Sequence, residues 1–85
     1  MATAIHEFTS KVRGPDGQYV ARALTEQRGN VWIGWLEFRP ASGSGPVLAT
    51  GEETSQPDRK AVEYWASGVE PIYLEGALRR ARPRQ

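Results

Sequence analysis

The chain has no cysteine and a single histidine, His6. Without thiols there is no disulfide framework, no thiolate metal site and no cysteine nucleophile. One histidine lacks the partners of a relay or a histidine metal cluster unless a second subunit supplies them, so its plainer place is a satisfied or exposed side chain near a strand end. No stretch approaches the roughly 18 apolar residues of a membrane span, and residues 1–7 carry neither the basic start nor the apolar run of a signal peptide. A soluble, cytoplasmic protein with no membrane partner is expected. There is no Gly-x-Ser-x-Gly elbow and no dinucleotide fingerprint. Ser42-Gly43-Ser44-Gly45 is not a phosphate loop, because the lysine that follows the last glycine of that motif is absent. The expectation is therefore a non-enzyme, with no catalytic residue, metal or cofactor.

What the chain does have is bulk concentrated in a few side chains. Of its 85 residues 39% are apolar, and these include three Trp, three Tyr and two Phe. That suffices for one small core and no second domain. The segment Val31-Trp32-Ile33-Gly34-Trp35-Leu36-Glu37-Phe38 carries large apolar groups on both faces of a strand. Trp32, Leu36 and Phe38 project one way around Gly34, and Val31, Ile33 and Trp35 project the other. Such a strand belongs in the middle of a sheet with cover on each side, and a chain this short supplies little of it.

Gly14-Pro15-Asp16-Gly17 joins two strand-like arms, residues 5–13 and 18–26, because proline presets one turn residue and glycine supplies positive φ. Gln27-Arg28-Gly29-Asn30 reads as a second turn into the tryptophan strand, which makes the start a meander. Residues 40–46 form a Ser/Gly connection, and Val47-Leu48-Ala49-Thr50 is a short fourth strand. The period then changes. Ser55, ahead of Gln56-Pro57-Asp58, offers a capping hydroxyl, and Ala61, Val62, Trp65 and Val69 recur on one stripe of a helix over 57–67. Gly68 suits a left-handed stop. Residues 72–81 fit a second helix, entered through Glu70-Pro71 and ending on basic residues, with a fifth strand as the alternative.

The expected fold is α+β: one domain over residues 1–81, an antiparallel meander of three or four strands packed by one or two C-terminal helices. A basic, disordered tail over 82–85 would follow.

The strings Trp32-Ile33-Gly34-Trp35-Leu36-Glu37-Phe38, Gly51-Glu52-Glu53-Thr54-Ser55-Gln56-Pro57, Tyr64-Trp65-Ala66 and Glu70-Pro71-Ile72-Tyr73-Leu74-Glu75-Gly76-Ala77-Leu78 resemble those of a family of small bacterial proteins with no assigned activity. The resemblance covers roughly residues 18–81. It implies a bacterial, cytosolic setting and brings no catalytic residue.

Two groups of residues are candidates for contact with other molecules. Tyr19, Trp32 and Trp35, with Arg22 and Arg39 near them, form core or, where one tryptophan is left uncovered, an interaction surface. Arg79, Arg80, Arg82 and Arg84 place four positive charges in the last seven residues, against a body of seven basic and ten acidic residues. They would contact phosphates or an acidic partner, or simply keep a chain end solvated. Glu52 and Glu53 could offer oxygens to a hard cation, although adjacent residues usually point apart and a solvated loop is the plainer reading. The expected function is an interaction module that self-associates through its sheet as a homodimer or binds another protein. The alternative is a nucleic-acid-binding protein using the arginine cluster and an exposed tryptophan.

Overall fold

The computed structural model describes residues 1–84. Its centre is a long hairpin of β3 (Gly17–Arg28) and β4 (Val31–Pro40), paired over its full length from Arg28↔Val31 to Tyr19↔Pro40. Gly29, at φ 60, starts the two-residue turn, which is the geometry that continues the right-handed twist of both strands. β1 (Thr3–Glu7) and β2 (Val12–Gly14) line the far edge of β3. On the other side β5 (Leu48–Ala49) and β6 (Thr54–Gln56) each pair with part of β4, and β7 (Arg82–Pro83) pairs with β5. All pairings are antiparallel.

Among the described residues the sheet thus has seven strands, where three or four were expected. The extra ones are short. The strand expected over 47–50 is β5, shortened to two residues, and β2 is a piece of the first arm; β6 and β7, of three and two residues, are the unexpected ones, and they form because β4 and then β5 offer unpaired backbone. The arm expected over 5–13 is broken between Glu7 and Val12, and a register shift falls between Ala4 and His6.

Both helices lie on one face. Tyr19, Ala21, Ala23 and Thr25 of β3 share that face with their partners Pro40, Phe38, Leu36 and Gly34. Against them pack Ala66 of α1 (Arg59–Ser67) and Leu74, Ala77 and Leu78 of α2 (Pro71–Arg80), forming the core. The alanines on β3 let the helices come close. Gly34 does so most directly: a Cβ there would stand 2.7 Å from Val62 Cγ1 and 3.2 Å from Trp65 Cζ3.

Both helices end as their sequences suggest, with two corrections. Asp58, not Ser55, caps α1, its carboxylate accepting from Ala61 N at 2.9 Å, while Ser55 sits in β6 opposite Ile33. The pairing of β6 with β4 holds Ser55 extended, and the acid nearest the helix takes the cap. Gly68 stops α1 at φ −96, in the right-handed region, with its N–H on Trp65 O at 3.1 Å. The chain needs no left-handed turn because it runs straight through Val69 into α2. The second helix is confirmed over the strand alternative.

Residues 82–84 hold a place on the sheet, unlike the disordered tail expected from their charge. Arg82 and Pro83 pair with Ala49 and Leu48, and Arg84 N donates to Val47 O at 2.9 Å. Unpaired backbone on β5 and the Glu37 carboxylate provide the partners. Gln85 lies outside the described residues.

Candidate functional site

With α1 and α2 on one side, the other face of the sheet has no helix over it. Its residues follow from the register: Val20, Arg22, Leu24, Glu26 and Arg28 on β3, opposite Arg39, Glu37, Trp35, Ile33 and Val31 on β4. The row divides into two ends. Leu24 and Ile33 are buried, Trp35 is half-buried and Val31 is exposed, which makes one end apolar. The other end is built around Glu37.

Glu37 is fully buried, and a buried carboxylate must be compensated. Arg22, its cross-strand partner, donates from Nε to Oε1 at 2.7 Å. Arg84 reaches from the strand-edge side to Oε2, and Arg39 Nε stands 3.7 Å from Oε1. Three guanidiniums thus surround one carboxylate. Compensation requires one, so two positive charges are in surplus, and the side chains of Arg39 and Arg84 are 54% and 52% exposed. The surplus faces solvent.

Trp35 stands two residues from Glu37 on the same face. Beside it opens a cleft of ≈ 250 Å³ lined by Arg28, Ile33, Trp35, Thr50, Gly51 and Glu52. The cleft lies where the chain leaves the ladder between β5 and β6, still tied to β4 by Thr50 N on Leu36 O at 2.9 Å and Glu53 N on Gly34 O at 2.8 Å. Thr50 fills the gap in the ladder, its Oγ1 accepting from Leu36 N at 3.0 Å and donating to Gly51 O at 2.9 Å. This volume is smaller than the roughly 300–1,000 Å³ of drug-sized sites, and it fits a single ring better than a whole cofactor.

The residues singled out from sequence therefore separate. Tyr19 is buried in the core under α2 and does not share a surface with Trp35. Trp32 is half-buried on the helix side, opposite Gln27 and Gln56. Trp35 and Arg39 lie on the open face. Of the basic cluster, Arg84 joins them, and Arg82 stands beside it on β7 with its guanidinium on Ala81 O at 3.0 Å. Arg79 and Arg80 point elsewhere. Glu37 itself was missed. Counting outward from the Gly29-Asn30 turn would have set it opposite Arg22.

A second polar group lies at the helix side. Arg80 donates to Glu53 Oε1 at 2.7 Å, and Tyr73 OH donates to the same oxygen. Burial, then the hydrogen bond to Glu53, raises the Tyr73 pKa above its ordinary value of 10.0, and the carboxylate likewise raises that of Arg80. Glu53 is thus committed to α2, while Glu52 is exposed at the cleft. Among the described residues no three His, Cys, Asp or Glu side chains come together as a metal site would require. No helix among the described residues is long and apolar enough to cross a membrane.

No family model matches the chain, and no curated protein or solved structure is significantly similar to it.

Proposed function

We propose that this chain is a non-enzymatic interaction module whose working surface is the open face of its sheet. The observation that carries this reading is the pairing, on one face without a helix, of an apolar end presented by Val31 and Trp35 over buried Leu24 and Ile33 with a surplus of guanidinium charge around Glu37. A face with no role beyond solubility would have little use for either. The polar groups that the fold draws together support a non-catalytic role, because they are engaged with each other: Glu37 by arginines, Glu53 by Tyr73 and Arg80. His6 stacks edge-on against Phe8 with centroids 4.6 Å apart. The family resemblance of the Trp32 and Glu70 strings suggests a bacterial, cytosolic setting.

Self-association is one use of such a face. It would not run through the strand edges, since β1 carries a bulge and β5, β6 and β7 are very short, two devices that blunt edge pairing. Face-to-face stacking about a two-fold axis remains. An axis at the Glu37 end would set two basic surpluses against each other, so the axis belongs near Leu24 and Trp35, which face each other across the hairpin. Sedimentation across a concentration series tests this. A rising average mass that Trp35→Glu abolishes supports the dimer, and a monomer at every concentration removes it.

A further inference from the structure

We infer that the open face binds single-stranded nucleic acid, with one base stacked in the Trp35 cleft and the adjoining phosphates held by Arg39 and Arg84. This rests on the open face being the working surface and names its partner. Three features point the same way.

The first is charge. A carboxylate that needed only neutralisation would be matched by one guanidinium, yet three converge on Glu37, and those of Arg39 and Arg84 keep donors turned to solvent. Guanidinium forks match phosphate oxygens in geometry as well as charge. The second is the indole. Trp35 and Arg39 lie on the same side of β4, on either side of Glu37, about 13 Å apart along the strand. Aromatic groups interleaved with arginines on a flat strand surface make a stacking platform for unpaired bases. The third is shape. The ≈ 250 Å³ cleft beside the indole accepts one planar ring, with Arg28 on its wall and Glu52 as an acceptor for a ring N–H, such as thymine N3–H, or an exocyclic amino group. This face presents neither a helix nor a protruding ribbon to enter a duplex groove, so the strand it suits is single. An acidic peptide would satisfy the arginines but leave the cleft without a stacking group.

Binding of a fluorescently labelled short oligothymidine, followed by anisotropy over a range of salt, tests the assignment. Two phosphate contacts, from the two surplus guanidiniums, predict a slope of log affinity on log salt of about −1.4, since each contact contributes about −0.7 on a single strand. Arg39→Gln should flatten the slope by about 0.7 and weaken binding on the order of fivefold in about 0.1 M salt. Arg39 is held at only 3.7 Å from Glu37, so its loss should leave the fold intact, as a thermal melt will show. Trp35→Phe should remove the oligonucleotide-dependent part of the tryptophan quenching. Arg79→Gln, on the exposed side of α2, should change neither slope nor affinity.

No binding at low salt overturns the proposal, as does an Arg79→Gln effect as large as that of Arg39→Gln. Oligoglutamate binding as tightly as oligothymidine also overturns it, in favour of an acidic polypeptide. If oligothymidine fails to bind while sedimentation shows a dimer dependent on Trp35, the open face stands as the working surface and only its partner is wrong. Failure of both removes the surface as well.

Discussion

At the scale of single residues, two positions on β4 do opposite work. Gly34 is an absence that lets α1 sit down, with Val62 and Trp65 occupying the space a side chain would need. Gly34→Ala should therefore overpack this contact and lower stability by about 1–3 kcal/mol in urea unfolding. An unchanged midpoint would mean that α1 can rise off the sheet without penalty. Glu37 is a presence that the surrounding charge requires. Glu37→Ala should cost about 1.5–3 kcal/mol, the range for hydrogen bonds involving charged groups, and should loosen Arg84 from the sheet. Tyr73 adds a pH dependence. Because its folded pKa lies above 10.0, its contribution is fully present below that pH and is lost as pH rises through the higher folded value. The stability gap between the wild type and Tyr73→Phe should stay constant up to about pH 10 and narrow beyond it. A gap that persists in strong alkali would show that the Glu53 contact contributes little. Gly34 was legible in the sequence as a break in a run of bulky groups. Glu37 was less so, because a glutamate in a strand reads as solvent-facing until the strand opposite is known to bring an arginine.

At the scale of elements, what could be read from sequence depended on length. The β3–β4 hairpin and both helices have enough residues for period and punctuation to show: glycine at the turn, the apolar stripe of α1 and Pro71 at the start of α2, although the cap of α1 falls on Asp58 and not on the expected Ser55. Asp58→Ala should cost about 1 kcal/mol by freeing the Ala61 amide, while Ser55→Ala should cost much less because that hydroxyl is not the cap. Equal losses would restore Ser55 to the capping role. β5 was legible as the short apolar stretch 47–50, but β6 and β7 were not, since two or three residues of mixed character carry no period. They are defined by the strand beside them. The tail misled for a related reason: its arginines look solvated in sequence, and only the folded sheet brings Glu37 within reach of Arg84.

At the scale of the whole molecule, the chain is a sheet with helices on one side and an uncovered face on the other. That asymmetry was foreshadowed by a strand too apolar on both faces for the cover an 85-residue chain can supply. The four terminal arginines, which look like one cluster in sequence, are split by the end of α2, so that Arg84 joins Trp35 and Arg80 does not. The surface that results is mixed in character, and its position tests the account most directly. A proton–nitrogen NMR spectrum, followed from micromolar to millimolar protein and then with added oligothymidine, would locate it. The account predicts shifts at alternate positions of the hairpin, at Val31, Ile33, Trp35, Arg39 and Arg22, with Tyr64, Ile72 and Tyr73 on the helices unmoved. Shifts confined to those helix residues, or none anywhere, would contradict it.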